Sequence, residues 1–419
     1  MEAAVQIISL EHLKSMLNED KSPFVLRTSD RLLFRRCRRL WGWMSHLRQG
    51  RVLRESADYL WFGTGIHYAL EDFHGLNLYG NPALAFLAYV EAGARAKILP
   101  ATWQEHQEMG LALMAYYAEE WLRSRPGLET YEVDGKPQVE VNGAIDLGAR
   151  TPDGRRILYG FTMDRIIVDE YGRLWIVEYK TAKVVRLFHF DVDEQITSYC
   201  WCAWKLYNRP IAGVVYQQFV KKTPTLPKIL SSGKVSTDTR QSTSAALYAK
   251  MLTDMYGTLE LAPNENIRAL NKFRSLEDED KDKFIVRHRI ERNQRQIESF
   301  EEKVRMELEE ITNPNLPLYP NPTKDCEYMC PMQAACVAMD DGSDWEGTLN
   351  TYSFSTEDGL TQREKEQMQW RMFLPEPSQI KLPAAGIQYH QLMSELASNT
   401  PDHEQQIPPE QAFLEELGL

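Results

Sequence analysis

The chain has 419 residues, room for one large domain or two ordinary ones, and its 43% hydrophobic and 11% aromatic content is ample for a packed core. A formal charge of −12 excludes a general electrostatic coat for nucleic acid but leaves room for a local basic path, since binding follows the local field. No apolar run reaches membrane-spanning length and the N-terminus lacks a basic-then-apolar signal pattern, so the expectation is a cytoplasmic protein with no membrane partner.

Residues 1–28 read as a lead-in, with a short helix over SLEHLKSMLNED and an extended run before Ser29-Asp30, a helix N-cap. The next segment is RLLFRRCRRLWGWMSHLRQGRVLR. Leu32, Leu33, Leu40 and the tryptophans mark an apolar stripe, and Arg31, Arg35, Arg36, Arg38, Arg39, Arg48, Arg51 and Arg54 cover much of the rest. Such a pattern fits a solvated helix face. It also fits a single-stranded nucleic-acid path with stacking on Trp41 or Trp43, and this second reading is favoured. In WFGTGIHYALEDFHG, Gly63 and Gly65 open a helix carrying His67, Leu70, Glu71 and His74. One histidine on a helix is more often a packed or surface residue than a ligand. Residues 80–125 form two further helices without evident chemistry. KPQVEVNGAIDLGAR alternates like a strand, carries Glu140 and Asp146, and leads to the turn Thr151-Pro152-Asp153-Gly154. Asp146 reads as a surface or turn-flanking residue.

The centre of the chain is residues 160–183, GFTMDRIIVDEYGRLWIVEYKTAK. Two strand-like runs flank the turn Asp169-Glu170-Tyr171-Gly172. Side chains alternate along a strand, so Glu178 and Lys180 point the same way, and a hairpin brings Asp164 beside them. Two carboxylates sharing a site repel unless a cation lies between them, which implies a hard metal such as Mg²⁺. A lysine beside it suits orientation of an attacking water or stabilisation of a pentavalent phosphate. The plain alternative is an ordinary hairpin with solvated charges.

Beyond the hairpin, DVDEQITSYCWCAWKLYNRP is a helix ended by Asn208-Arg209-Pro210, with Gln195 and Tyr199 on one face. Cys200 and Cys202 fit a helix packing its aromatic face into the core. IAGVVYQQFV is the next strand of the same sheet. Residues 221–286 lose periodicity apart from one helical piece at 244–256 and read as an insertion, either a channel wall or a decorative loop. Residues 287–311 have helical apolar spacing at Ile290, Ile297, Phe300, Val304 and Leu308, with His288 near the start. Then Cys326, Cys330 and Cys336 follow a Pro-rich turn with spacing C-x3-C-x5-C. Three thiolates are one short of a tetrahedral site, and Cys37 supplies the fourth. An iron–sulfur cluster and zinc both accept such a set. The tail from Trp345 is rich in Glu, Gln, Ser and Pro. It suggests disorder beyond Pro383 and a partner-binding helix in FLEELGL.

Asp164, thirteen residues, then Glu178-Tyr179-Lys180 resembles the core of the PD-(D/E)XK nuclease superfamily, and Thr181 fits its RecB-like branch. The resemblance extends through GTGIH, Q-x-x-x-Y and the terminal cysteines. It implies an α/β, restriction-endonuclease-like fold: a mixed central sheet flanked by helices, with the N- and C-terminal segments joined by a four-cysteine cluster. The implied metal ligands are His67, Asp164, Glu178 and the Tyr179 carbonyl, holding Mg²⁺ or Mn²⁺. Asp164, Glu178 and Lys180 are the implied catalytic residues, and Glu140 is an accessory acid. Gln195 and Tyr199 are implied to meet DNA, and the Arg–aromatic pattern read above places Arg35, Arg36, Arg38 and Arg39 on its expected approach. Cys37, Cys326, Cys330 and Cys336 resemble the 4Fe–4S ligands of AddB-type and CRISPR-associated exonucleases. Two departures stand out: three residues rather than two between Cys326 and Cys330, and Arg38 where proline often follows the early cysteine. The expected domains are residues 1–28, a nuclease unit at 29–340 with the cysteine region at 320–340, and an extension at 341–419. The expected function is a DNA exonuclease for single strands or ends. Phage recombination, host repair and CRISPR adaptation all use such enzymes. The alternatives are a DNA-binding protein without turnover and a zinc-stapled interaction module.

Overall fold

The computed structural model describes residues 7–9, 22–45, 47–53, 58–123, 129–185, 190–277, 281–355 and 370–380. Strands β1 (Ile7–Ser9) and β2 (Phe24–Leu26) come first, then helices α1 (Thr28–Arg36) and α2 (Arg38–Met44) and strand β3 (Arg51–Leu53). Three long helices follow, α3 (Asp58–His74), α4 (Pro82–Ala96) and α5 (Trp103–Arg123). Short strands β4 (Glu129–Thr130), β5 (Glu132–Val133) and β6 (Lys136–Pro137) precede the long β7 (Val139–Arg150) and β8 (Arg156–Val168). Next are β9 (Leu174–Ala182), α6 (Glu194–Tyr207), β10 (Ile211–Val220), α7 (Ala245–Tyr256), α8 (Asn264–Leu276), β11 (Ile285–Glu291) and α9 (Gln294–Ile311). Helices α10 (Asp325–Met329), α11 (Gln333–Asp341) and α12 (Trp345–Tyr352) lead to β12 (Ser353–Ser355).

The main sheet runs β1-β7-β8-β9-β10-β11, with β2 and β4 also on β8. It is mixed: β9 is parallel to β10 and β2 to β8, and the other pairs are antiparallel. Helix α6 is the crossover that a parallel β9–β10 pair requires. Alternation on β9 separates two cores. Trp175, Val177 and Tyr179 pack with Phe62, Phe86 and Tyr116 of α3, α4 and α5. Leu174 and Ile176 pack on the other face with Ile196 and Trp201 of α6 and Phe300 of α9. The sheet is therefore the middle of three layers, and β8 and β9 lie at its centre. No helix among the described residues is long and apolar enough to cross a membrane.

The hairpin, the α6 helix, the β10 strand and the two helices after Gly80 form where the sequence places them. Four expectations need correction. First, the Arg-rich segment is two helices broken at Cys37, whose backbone is extended. The first begins at Thr28, and Asp30 accepts the Arg27 N–H (3.0 Å) from inside the first turn. Second, Gly63 and Gly65 do not open a helix but lie within α3. A Cβ on Gly65 would meet Phe86 and Tyr89 at 2.7 Å, so its glycine lets α3 press against α4. Third, the helix expected over residues 287–311 begins at Gln294, capped by the Asn293 side chain, and the residues before it form β11. Arg287 is buried in that strand, where its Nη2 meets Glu120 Oε2 at 2.8 Å. Fourth, the insertion holds a second helix, α8, which buries Ala269, Leu270 and Phe273 against Tyr248 and Leu252 of α7. The short helix expected in SLEHLKSMLNED, Arg54 and the tail beyond residue 380 lie outside the described residues.

His74 is buried on the α5 side of the sheet. Arg165 Nη1 lies 2.8 Å from its Nε2. A guanidinium only donates, so Nε2 accepts and the imidazole is neutral. Burial first, then the charges of Arg165 and Arg287, hold its pKa well below the usual value. An unfolded chain takes up that proton near pH 6.5, so below this pH the unfolded state binds more protons and stability falls. Thermal unfolding across pH 5–8 should therefore show a declining acid limb. In His74→Gln that limb should be shallower, and stability at pH 8 should be lower by about 1–3 kcal/mol through the unmet donors.

Candidate metal centre and active site

The site forms where the backbone ladder opens. Strands β8 and β9 pair from Val168↔Leu174 to Arg165↔Val177, and there the ladder stops. One step further the same register sets Asp164 opposite Glu178. On the other edge β7 pairs Val139↔Arg165 and Val141↔Met163 and skips Glu140. Glu140 has φ +47°, the left-handed region that a residue with a Cβ rarely adopts. Side-chain alternation also slips here. Phe161 and Met163 face the α6 core, whereas Arg165 turns to His74 on the opposite side.

Backbone groups released from the ladder turn to side chains. The Tyr179 N–H donates to Asp164 Oδ2 (2.7 Å). The Tyr179 carbonyl accepts from His67 Nε2 (3.0 Å). The other ring nitrogen, Nδ1, lies 3.3 Å from Asp164 Oδ1 and 3.9 Å from Glu140 Oε1. His67, Glu140 and Asp164 thus offer ligand atoms within 4.8 Å of one another. Helix α3 delivers His67 to β9, and Gly63, one turn earlier, faces that strand, its Cβ position lying 3.4 Å from Thr181 Oγ1.

Glu178 and Lys180 share a face, as the strand period requires, and pair with each other. Glu178 is 3% exposed and its Oε2 has no hydrogen-bond partner. An orphaned buried carboxylate oxygen is costly unless a cation or donor meets it. Beside a His–Asp–Glu cluster, hard oxygen donors and one imidazole fit a divalent cation such as Mg²⁺ or Mn²⁺. Electrostatics agree with a site built for positive charge. Burial acts against the His67 imidazolium, but Asp164 and then Glu140 outweigh it and raise its pKa to about 10. Burial pushes Glu178 up to about 7, opposed by Lys180 and assisted by Asp164. For Asp164 burial is overcome by His67, Lys180 and the Tyr179 N–H, which hold it below the usual carboxylate range. Lys180 is held protonated by Glu178 and Asp164 against the effect of burial.

Helix α6 closes one side. Asp193 caps it by accepting from the N–H groups of Gln195 (2.7 Å) and Ile196 (3.3 Å). Gln195 Nε2 then donates to the Tyr199 hydroxyl (2.7 Å) and faces Glu178 Oε1 (3.4 Å). The spacing of four that joined these residues in the sequence joins them at the site. Glu140, expected as an accessory acid, offers a carboxylate oxygen to the same group as His67 and Asp164. Its left-handed backbone is a local strain of the kind found at functional sites. The His74–Arg165–Tyr179 network was not legible beforehand. Its one signal is that Arg165 follows Asp164 directly.

The arginines lie differently from expectation. Arg35 pairs with Glu194 and Glu307, Arg38 with Glu310, and Arg39 with Asp340. Arg31, fully buried, joins Glu307 (2.6 Å) and Glu194 (3.0 Å). These side chains fasten α1 and α2 to α6, α9 and α11. Arg36 lies on the cysteine side, where its charge acts on the Cys330 thiol. Cys37, Cys330 and Cys336 pack against one apolar cluster with Leu40, Trp43, Met332 and Leu349. Burial raises the Cys330 thiol, and Cys326 and Cys37 are close enough to add to the effect. The four sulfurs do not form a tight ligand group like that of His67, Glu140 and Asp164. Cys200 and Cys202 are buried within α6 and far up in pKa through burial, as packed thiols should be. Asp146 accepts from Gly148 N–H and pairs with Arg156 away from the site.

A mixed sheet flanked by helices, with an acid on one central strand and Glu-x-Lys on the next, defines a restriction-endonuclease-like fold with a nuclease centre. The family model of the PD-(D/E)XK nuclease superfamily matches residues 29–337, and the chain belongs to this superfamily. No curated protein matches the chain. Superfamily membership places the protein among metal-dependent nucleases.

A cation that binds only the folded chain raises its stability, by about 2.7 kcal/mol at a hundredfold excess over the dissociation constant. Mn²⁺ should therefore raise the melting temperature of the wild-type protein. Asp164→Ala and His67→Ala should lose most of that rise, as read by differential scanning fluorimetry with and without EDTA.

Proposed function

We propose that this protein is a metal-dependent deoxyribonuclease, an exonuclease that acts on single-stranded DNA or DNA ends inside the cell during recombination, repair or replication. The observation that carries the reading is the meeting of His67, Glu140 and buried Asp164 beside the Glu178–Lys180 pair, with the buried Glu178 Oε2 unpartnered. Mg²⁺ or Mn²⁺, when bound, supplies the charge that polarises the phosphodiester and the attacking water. His67, Asp164, Glu140 and Glu178 would hold it, with the Tyr179 carbonyl. Lys180, held protonated, orients the water and stabilises charge developing on the phosphate. Gln195 and Tyr199 position the substrate strand next to Glu178. Exonucleolytic action follows the RecB-like order of GTGIH, EYK and Q-x-x-x-Y along the chain.

The same reading assigns Cys37, Cys326, Cys330 and Cys336 to a 4Fe–4S cluster, with zinc as the other occupant. Three sulfurs each take one N–H bond, from Asn321 to Cys37 (3.5 Å), Thr323 to Cys326 (3.4 Å) and Arg39 to Cys336 (3.2 Å). Anaerobically purified protein should be brown, whereas a zinc protein is colourless. Cys37→Ala should lose colour, iron and stability, whereas Cys200→Ala and Cys202→Ala should keep them. The opposite pattern of iron content would overturn the ligand set.

Asp164→Ala and Lys180→Ala should lower Mn²⁺-dependent hydrolysis of labelled DNA by roughly 10²–10³-fold or more. Asp164→Ala should still bind the strand. A wild-type hydrolysis rate in Asp164→Ala would remove the assignment. Binding by the wild-type protein without hydrolysis under any divalent cation would favour a DNA-binding protein that keeps the fold without turnover.

A further inference from the structure

Four lysines meet at the sheet end next to the site. β9 and β10 run parallel, so both end at the same edge, and Lys183 and Lys221-Lys222 follow their last residues, Ala182 and Val220. The Lys221 N–H donates to the Ala182 carbonyl (2.8 Å), which sets Lys221 beside Lys183. The Val220 N–H donates to the Phe284 carbonyl (2.8 Å), which brings Lys283, at the start of antiparallel β11, to the same corner. Lys180 lies on β9 only three residues before Lys183.

These cations are not balanced as the arginines of α1 and α2 are. None of Lys183, Lys221 or Lys222 has a carboxylate partner among the described residues. Lys283 does have acids nearby, Glu277, Asp282 and Asp238, each of which also holds another partner. Asp282 Oδ2 accepts from the Tyr116 hydroxyl (2.6 Å), Asp238 pairs with Arg240 (2.9 Å), and Glu277 Oε1 accepts from the Ala245 N–H (2.6 Å). The ammonium groups are steadied by rings instead. Lys221 lies 5.1 Å over Phe62, five residues before His67 on α3, and Lys222 lies 5.8 Å over Phe284. Lys283 bonds the Thr239 carbonyl and the Gln241 carbonyl (3.2 Å), tying the α7–α8 lobe to this corner. Burial and the neighbouring Lys183 lower the pKa of Lys221, and burial and Lys222 lower that of Lys283. Mutual repulsion at a half-buried corner is relieved by an anion lying across it.

We propose that the sugar–phosphate backbone of the substrate strand crosses this sheet end, with its phosphates on Lys183, Lys221 and Lys222. Lys283 holds the α7–α8 lobe as the outer wall of the path. The proposal rests on the nuclease reading and gives that site its direction: the strand passes between α3 and the lobe, not along α1 and α2.

The test is binding of a short fluorescent single strand and its duplex in EDTA, as a function of salt. In the variant carrying Lys183→Gln, Lys221→Gln and Lys222→Gln, the slope of log K against log salt should shrink. The loss should be about 0.7 per contact on the single strand and about 0.9 on the duplex. Arginine at the same three positions should restore it. Arg35→Gln with Arg38→Gln should lower the melting temperature and leave the slope at the wild-type value. If wild-type protein hydrolyses DNA and the glutamine variant keeps the wild-type slope, the path is wrong and the nuclease reading stands. If the arginine pair flattens the slope and the lysines do not, the strand lies on α1 and α2. If wild-type protein neither binds nor hydrolyses, both readings fall together.

Discussion

The active centre depends on one interruption of hydrogen bonding, the end of the β8–β9 ladder at Arg165↔Val177. A buried backbone group must find a partner. Tyr179, cut off from β8, places its N–H on Asp164 and its carbonyl on His67. One peptide unit therefore fixes the acid and the histidine against each other. A continuous ladder would consume both groups and leave neither side chain an anchor. Glu140, in its left-handed conformation, interrupts the opposite edge at the same level. The sheet is open on both sides of Asp164, and the candidate ligands meet it at those openings.

The two faces of the sheet support this opening by different means. On the α5 side, Arg165 links His74 and Tyr179 through hydrogen bonds and lies over Trp121. This network holds the residue after Asp164 and the side chain of the peptide that binds it. On the α6 side, Gln195 and Tyr199 meet Glu178, and Asp193 caps the helix that presents them. Arg31 sits between Glu194 of α6 and Glu307 of α9, fully buried. Removing one partner of such a group leaves an uncompensated charge, so these contacts constrain geometry tightly.

Chain segments remote in sequence close the unit. β12 pairs with β3, and Trp345 stacks on Trp43 at 6.1 Å. Further on, Trp370 is buried in the same core as α3, and Arg371 meets Glu71, one turn beyond His67. The cysteine region precedes these returns and packs against α2. A metal there would tie together segments almost three hundred residues apart, which restricts the unfolded chain more than the folded one.

Much of this was legible in the sequence because it depends on local period and chemistry. A strand period of two put Glu178 and Lys180 on one face. A helical spacing of four joined Gln195 to Tyr199, and a Gly-containing turn set the hairpin that brings Asp164 to Glu178. Tertiary structure decided what depends on distant partners. The Arg-rich segment looked like a nucleic-acid path because its carboxylate partners, Glu194, Glu307, Glu310 and Asp340, lie from about 160 to 300 residues away. The glycines of GTGIH looked like a helix start because their neighbours Phe86, Tyr89 and Thr181 are on other elements. Glu140 joins the candidate ligand group through a left-handed backbone conformation that no local pattern records. The lysines at 183, 221, 222 and 283 are unremarkable singly in the sequence. They form one corner only because parallel β9 and β10 end together where antiparallel β11 begins.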